Sequence, residues 1–392
     1  MKKYIRSERA NLFEPNVYIG MVVKLSGSLN AVEVRRAVEE AYRANEATMS
    51  KIVLAPTGDA WYEKMERSGC TFAPSPLPWQ ESLRQSQLRP FALADGELVR
   101  IFLSEEDKQK VLTIHAHHLV GDGKSILVLL QDIVSSLAHR SLRYKPLLSI
   151  DREFLQKRAR LFLATAAYIQ CVNRKWKKAG QVFTWEDYAS VHQRYWSRYT
   201  SEITYETYDL KAVKAQCPQG VTLNSFLIAK LLRDHPDCKV VGIPVSIRED
   251  DGMSNQVSGI AVKYGYDSNC SLEANARQLH KAIGRKLGSK RMKYFILSFM
   301  ERLCPSLIDG VLLQTHGCCH NPLTEKMAQV MGYVGDGGRD LGVTNLGQID
   351  IPGGRIQDIL FIPPKVSYTK KVVGIATYGG KLTVCHHNMR QV

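Results

Sequence analysis

The segment from His117 to Gly123, which reads His-His-Leu-Val-Gly-Asp-Gly, carries the side chains best suited to catalysis in this chain. A histidine of ordinary pKa is largely neutral at pH 7 and takes a proton from a hydroxyl or an amine, which is the work of a general base. His118 can do this, whereas a solvated aspartate is too acidic. We expect Asp122 and Gly123 to shape the loop, because glycine permits the backbone conformations of a tight turn beneath which the carboxylate folds back.

The residues on either side place this segment between a strand and a helix. Residues 111–116 alternate in direction as a strand does. After Gly123 the apolar residues at positions 126, 130, 133, 134 and 137 follow the spacing of one helix face. A strand-to-helix turn presents its side chains to a cleft, so the pattern predicts a functional site there.

The chain has 392 residues and 44% hydrophobic residues. A single core stops growing near roughly 250 to 300 residues, so we expect two lobes. Both halves mix strand and helix patterns, which indicates the α/β (α+β) class. We place an N-terminal lobe with the histidine motif at residues 1–180 and a C-terminal lobe at residues 181–392.

Local patterns predict the elements of these lobes. A strand at 17–25 precedes a helix capped by Asn30 and Glu33, and residues 152–179 are helical and basic. In the second lobe helices are expected at 223–232 and 272–287. Strands are expected there at 239–247, 257–266, 341–346, 355–362, 372–377 and 381–387.

The composition limits the partners. A net charge of +15 predicts attraction to polyanions, which include nucleic acid, anionic membrane, the phosphates of coenzyme A and acidic carrier proteins. The basic residues cluster at 152–178 and 285–293 without a nucleic-acid-binding module, so we exclude nucleic acid as a partner and keep peripheral membrane contact open.

Three further features of the sequence predict the cellular compartment of the protein. The first eight residues hold no apolar run of a secretory signal. The apolar run at 161–172 is shorter than the about 20 residues of a membrane span. Nine scattered cysteines are typical of reduced thiols. We therefore expect a soluble, cytoplasmic protein without a transmembrane segment.

Two metal-binding patterns compete with the general base. His115-Ala116-His117 has the spacing of a binuclear metallohydrolase, but Leu119 and Val120 stand where that pattern places an aspartate and a histidine. The cluster at 316–320, His-Gly-Cys-Cys-His, lacks the paired ligand spacing of zinc sites. We predict no metal site.

The segment His117–Gly123 resembles the HHxxxDG signature of a known superfamily. Its members include chloramphenicol acetyltransferase, the condensation domains of nonribosomal peptide synthetases and coenzyme A-dependent alcohol acyltransferases. The likeness continues, in order and spacing, over most of the chain. The similar segments are 25–29, 90–93 with 98–100, 221–224 and 245–248.

This resemblance implies roles for particular residues. His118 would be the catalytic base, and Asp122 would pair with Arg248, an arginine at the end of a distant strand. His117 belongs to the catalytic motif without an assigned role. The segment 342–347 resembles the SNLG-type strand of alcohol acyltransferases. Together with Gly123, its residues Thr344 and Asn345 are candidates for lining the substrate site.

The resemblance also implies a fold and an activity. Two lobes of similar fold would enclose a tunnel in which the acceptor attacks a thioester directly, without an acyl-enzyme. The chain would need no bound cofactor and would use acyl-coenzyme A or an acyl-phosphopantetheine carrier protein as co-substrate, with an alcohol or amine as small-molecule acceptor. The segment DFGWG of the plant branch is absent. The alternatives are a free-standing condensation-like enzyme of natural-product biosynthesis, a metal-dependent hydrolase and a non-catalytic docking module.

Overall fold

The computed structural model describes residues 2–27, 29–334, 338–352 and 354–392, so Ser28 of the similar segment 25–29 lies outside it. The strands are β1 (Lys3–Tyr4), β2 (Tyr18–Leu25), β3 (Ser50–Leu54), β4 (Ala60–Lys64), β5 (Thr71–Pro74), β6 (Val99–Glu106), β7 (Gln109–His117), β8 (Tyr199–Asp209), β9 (Val240–Ser246), β10 (Val257–Lys263), β11 (Arg339–Gln348), β12 (Ile356–Ile362), β13 (Thr369–Tyr378) and β14 (Lys381–Gln391).

The helices follow the same order along the chain. They are α1 (Ala10–Phe13), α2 (Ala31–Ala44), α3 (Trp79–Gln87), α4 (Gly123–Leu137), α5 (Arg152–Arg158), α6 (Leu163–Ala179), α7 (Trp185–Trp196), α8 (Leu210–Gln216), α9 (Leu223–Asp234), α10 (Leu272–Gly288), α11 (Lys290–Arg302), α12 (Pro305–Thr315) and α13 (Pro322–Met331). Short 3-10 turns occupy Glu46–Met49, Leu93–Asp95 and His118–Val120.

Two large sheets form the two lobes. The first has the order β12-β2-β7-β6-β5, and the second has the order β10-β9-β11-β13-β14-β8. A small three-stranded sheet, β1-β4-β3, stands beside the first. Helices pack on both large sheets, so the predicted mixed α/β architecture of two lobes is confirmed.

In the first lobe, helices α2 and α4 cover one face of the five-stranded sheet. Helix α2 begins with the expected cap: Asn30 Oδ1 accepts from the Glu33 backbone N–H at 2.8 Å, and Glu33 Oε2 accepts from the Asn30 N–H at 3.2 Å. Its buried residues include Val34, Val38 and Ala41, the stripe that the sequence spacing predicts.

In the second lobe, helices α9 and α10 cover the six-stranded sheet. Helix α9 starts at Leu223 behind the cap Thr222, whose hydroxyl accepts from the Ser225 N–H at 3.3 Å. The core between these helices and the sheet contains Ile228, Leu232 and Leu279. Strand β9 leads out of this core towards the first lobe.

The halves of the chain are interleaved. Strand β12 belongs to the second half but pairs with β2, with Phe361 opposite Met21. Helix α7 adds Tyr188 and Trp196 to the core of the first lobe. A boundary at residue 180 therefore does not separate the two sheets. The apolar pattern at 355–362 predicts a strand, but it does not predict which strand it pairs with.

The basic stretch 152–179 is largely helical, as its composition predicts, but it is interrupted. It divides into α5 and α6, because the chain takes an extended conformation at Ala159, where φ is −156° and ψ is 140°. No helix in the described part of the chain is both long and apolar enough to cross a membrane.

Candidate active site

His118 stands at the end of β7, in the 3-10 turn before α4. Its Nδ1 lies 2.8 Å from Asn255 Oδ1. The Asn255 amide is oriented by its other end, because Nδ2 donates to the carbonyl of His118 at 2.7 Å and to Glu8 Oε2 at 2.6 Å. Since Asn255 Oδ1 can only accept, Nδ1 of His118 must carry the proton, and Nε2 must hold the lone pair.

Burial of His118 lowers its pKa from the ordinary value, while the nearby charge of Asp122 raises it by a smaller amount. The imidazole is therefore neutral at pH 7. Among the described residues no hydrogen-bond partner occupies its Nε2. A neutral ring with a free lone pair is the state that a general base requires.

Glu8 extends this network beneath Asn255. Its Oε1 accepts from the Tyr62 hydroxyl at 2.9 Å, and the same hydroxyl lies 2.8 Å from the carbonyl oxygen of Leu119. Burial raises the pKa of Glu8 to about 7, and the hydrogen bonds from Asn255 and Tyr62 oppose that rise. The carboxyl of Glu8 therefore changes charge around neutral pH, two hydrogen bonds away from the His118 ring.

Both carboxylate oxygens of Asp122 accept hydrogen bonds. Oδ1 accepts from the Ser125 N–H at 3.0 Å as the cap of α4 and from Arg248 Nη2 at 2.7 Å, and Oδ2 accepts from the Gln256 N–H at 3.1 Å. Arg248 follows β9 and also donates to the carbonyl of Ser254 at 3.1 Å. The structure thus brings together the two residues that the resemblance pairs, and the hydrogen bonds of Asp122 hold the loop that carries His118.

His117 lies outside this arrangement. Its side chain is fully buried and packs beside Tyr18 and Phe91, with ring centroids 5.8 Å from each. Its Nδ1 accepts from the Leu119 N–H at 3.2 Å. Burial, with a smaller effect from His118, lowers the pKa of His117 to about 3. The structure therefore assigns His117 a packing position and gives it no access to a substrate.

A cavity of about 280 Å³ opens beside His118, between the two sheets. Most of its wall is apolar and comes from β9, β10, α11 and β13, and this wall includes Ile243, Ile260, Leu297, Met300 and Val372. Small-molecule pockets are typically apolar with a few polar groups and begin near about 300 Å³. His118, Glu8 and Asn255 are such polar groups at one end.

Gly123 and Thr344 line this cavity, but Asn345 does not. Asn345 Nδ2 donates to Asn224 Oδ1 at 3.1 Å, and its Oδ1 accepts from the Gly347 N–H at 2.8 Å. The amide of Asn345 therefore holds the end of β11. Of the predicted pair, Thr344 alone lines the cavity.

The expected role of Gly123 in the turn is wrong, because the positive φ of the loop belongs to Gly121, at 147°. A Cβ at Gly121 would also lie 2.4 Å from the Ser125 side chain. Gly123 is required for a different reason. A Cβ there would lie 2.8 Å from Leu346 Cδ2 and 3.2 Å from Phe361 Cε2.

Neither metal pattern of the sequence is assembled as a site. His115 Nδ1 lies 2.7 Å from Ser86 Oγ, and His316 Nε2 lies 3.2 Å from Ser367 Oγ. Within residues 2–27, 29–334, 338–352 and 354–392, no three His, Cys, Asp or Glu side chains are arranged to hold a metal ion.

Several solved structures share this architecture over nearly the whole chain. Polyketide synthase associated protein 5 from Mycobacterium tuberculosis is 14% identical with a TM-score of 0.60, covering 99% of this chain and 92% of its own. The epimerization domain from the third module of tyrocidine synthetase B is 15% identical with a TM-score of 0.62, covering 100% and 93%. The chain has the fold of a condensation domain.

A third structure, the starter condensation domain of rhizomide synthetase in complex with C8-CoA, is 13% identical with a TM-score of 0.62. It covers 99% of this chain and 89% of its own. No protein-family model and no curated protein matches the sequence. The condensation-domain fold, which the resemblance predicts, is therefore confirmed by structure, while identities this low leave the activity to be argued from the site.

Sequence reasoning missed Asn255 and Glu8. Asn255 is 137 residues from His118, and Glu8 lies 247 residues from Asn255. Neither sits at a spacing that predicts chemistry. The one usable signal is that Asn255 closely follows Arg248, which the resemblance already placed near the motif.

Proposed function

We propose that this chain is an acyltransferase that moves an acyl group from a phosphopantetheine thioester to an alcohol or an amine. The observation that supports this most directly is the fixed tautomer of His118. Its free Nε2 stands at the polar end of an otherwise apolar cavity. An apolar wall suits an acyl chain, and a neutral base suits the activation of a nucleophile.

The proposed reaction uses His118 twice. Nε2 takes the proton of the acceptor O–H or N–H as the acceptor oxygen or nitrogen attacks the thioester carbonyl carbon. When the tetrahedral oxyanion collapses, the C–S bond breaks, and His118 returns the proton to the departing thiolate. Asp122 and Arg248 hold the loop that carries His118, and Thr344 lines the space next to the carbonyl.

Either acyl-coenzyme A or an acyl-carrier protein can supply the thioester, because both present a phosphopantetheine arm. One structural neighbour is in complex with C8-CoA, which favours a medium-length acyl group on coenzyme A as the first donor to test. Other neighbours are condensation domains of synthetases, which favour the second candidate, a condensation-like enzyme that uses carrier-bound substrates.

The test is a mass-spectrometric screen of acyl-coenzyme A and acyl-carrier donors against alcohol and amine acceptors. We expect an acylated acceptor and free thiol in equal amounts. His118→Ala should lower kcat/KM by about 10² to 10⁴-fold, the usual contribution of a general base.

His386→Ala is the matched control, because His386 also belongs to an adjacent histidine pair but lies in β14 opposite Thr204, outside the cavity lining. It should keep the activity of the wild type. Turnover by a well-folded His118→Ala protein at the wild-type rate would refute the proposed function.

A further inference from the structure

The turn between α5 and α6 exposes two adjacent large apolar side chains, Phe162 and Leu163, which we call the apolar tip. Leu163 is 89% exposed, more than any other large apolar side chain in the described part of the chain, and Phe162 is 47% exposed. The next residues on the outer face of α6, Ala164 and Ala167, are also exposed and apolar. A lone exposed leucine needs no explanation, but a protruding pair at a helix start does.

Exposed basic side chains lie next to the apolar tip. Arg160 precedes it in the chain and is exposed. The guanidinium carbon of Arg291 lies 4.4 Å from the ring centroid of Phe162, and this contact brings the start of α11 to the tip. Residues 281–300 contain six lysines and arginines and no aspartate or glutamate. We call Arg160, Lys290 and Arg291 the basic collar.

Helix α11 connects this surface to the cavity. Its first residues, Lys290 and Arg291, are exposed, whereas Ile296 and Met300 line the cavity. At about 1.5 Å per residue, Arg291 and Ile296 are separated by only about 7.5 Å along the helix. The part of the basic collar on α11 thus lies about one and a half helical turns from the cavity wall.

We propose that the apolar tip and the basic collar dock onto an anionic lipid membrane. Leu163 and Phe162 enter the boundary between headgroups and acyl chains, and the collar binds lipid phosphates. The protrusion of Leu163 favours a bilayer over an acidic carrier protein, because a fluid bilayer accepts a protruding side chain without offering a matching recess. This docking does not depend on the proposed acyl transfer.

Co-sedimentation of the full chain with vesicles tests the proposal. The protein should sediment with phosphatidylcholine vesicles that contain phosphatidylglycerol and should stay in solution with phosphatidylcholine alone. Added salt should weaken the binding, because it screens the collar. Absence of binding to the anionic vesicles at low salt would overturn the proposal.

Four variants make the test specific. Leu163→Glu should abolish sedimentation, and Arg291→Gln should weaken it by about fivefold, the effect of removing one positive charge near an anionic surface. Val32→Glu is the matched control, since Val32 is 77% exposed on α2 and should leave binding unchanged. His118→Ala should also bind like the wild type, which separates docking from catalysis.

Melting curves establish that each variant is folded. Wild-type binding by a folded Leu163→Glu protein would contradict the proposal. A second pair of results would also contradict the proposal. In that case the wild type fails to bind vesicles but forms a gel-filtration complex with an acidic acyl carrier protein, and Leu163→Glu abolishes that complex.

Discussion

The tautomer of His118 is set by a side chain that arrives from the other lobe. Asn255 Oδ1 accepts the Nδ1 proton at 2.8 Å, while Nδ2 of the same amide is held by Glu8 and by the carbonyl of His118. Neutral imidazole has one donor and one acceptor, so fixing the donor fixes the base. Asn255 is therefore a positioning residue, and its loss should change the population of the reactive tautomer.

We expect Asn255→Ala to lower kcat/KM by about tenfold to a hundredfold, less than the full loss of a general base. Asn255→Asp still accepts from Nδ1 but adds a negative charge beside the ring, which favours the imidazolium and raises the His118 pKa. The acidic limb of the pH–rate profile lies below about pH 6.5 in the wild type, because the His118 pKa is lowered. In Asn255→Asp it should move to higher pH.

The measurement is kcat/KM against pH for both variants and the wild type. If Asn255 had a purely structural role, its replacement would lower the rates without moving the acidic limb of the pH–rate profile. An unmoved limb in a folded Asn255→Asp protein would therefore contradict the positioning role.

At the scale of single residues, the sequence predicted those residues of the candidate site that lie close together in the chain. His118, Asp122 and Gly123 share one turn, and residue type and resemblance together were enough to find them. Asn255 and Glu8 could not be found this way, because their relation to His118 exists only once strands and helices distant in sequence have packed.

Helix α4 and strand β9 are tied together by one buried ion pair. Asp122 caps the start of α4, and Arg248, two residues beyond the end of β9, reaches it at 2.7 Å. The side chains of Asp122 and Arg248 are 3% and 12% exposed. Removing one partner from such a pair leaves an uncompensated charge, whereas removing both can be nearly neutral.

Arg248→Met should lower the free energy of unfolding by roughly 3 to 5 kcal/mol. Asp122→Asn should be destabilising as well. The double variant should lose less than the sum of the two, because no unpaired charge remains. Denaturant unfolding of the four proteins measures this, and additive losses would show that the two side chains act independently.

The elements that the sequence predicted best are those with apolar or amphipathic patterns. Strands β2, β7, β12 and β13 and helix α4 all lie within a few residues of the expected bounds. Strand β8 was missed, because Tyr199–Asp209 is mostly polar and exposed at the sheet edge. An edge strand with a solvated face carries little of the hydrophobic signal on which such predictions rest.

Across the whole molecule, several histidines are buried in the neutral state. Burial lowers the pKa of His192 and His387 to about 4 and that of His117 to about 3, and it holds the pKa of His115 well below the ordinary value. Unfolded histidines titrate near about 6.5. Below that pH the unfolded chain therefore binds protons that the folded chain does not, and stability falls as the pH falls.

We expect the melting temperature to drop steeply between pH 6.5 and pH 4, with each of these histidines contributing about 1.4 kcal/mol per pH unit. Glu8, whose pKa is raised to about 7, opposes this trend. His192→Leu should flatten the dependence, because burial lowers the pKa of His192 to about 4 and the substitution removes that titrating group.

The exposed His320 provides the matched control, and His320→Gln should keep the wild-type slope. The measurement is the melting temperature of the three proteins at a series of pH values. Equal slopes for wild type and His192→Leu would mean that His192 is already protonated in the folded state.

The pairing of β12 with β2 also sets an order of events during synthesis. A ribosome synthesises Tyr18–Leu25 about 330 residues before Ile356–Ile362, which at about 5 to 20 residues per second leaves β2 without this neighbour for tens of seconds. An apolar strand with an open edge is a template for wrong pairing. The nascent chain thus carries an apolar strand edge that is open to wrong pairing until β12 has been synthesised.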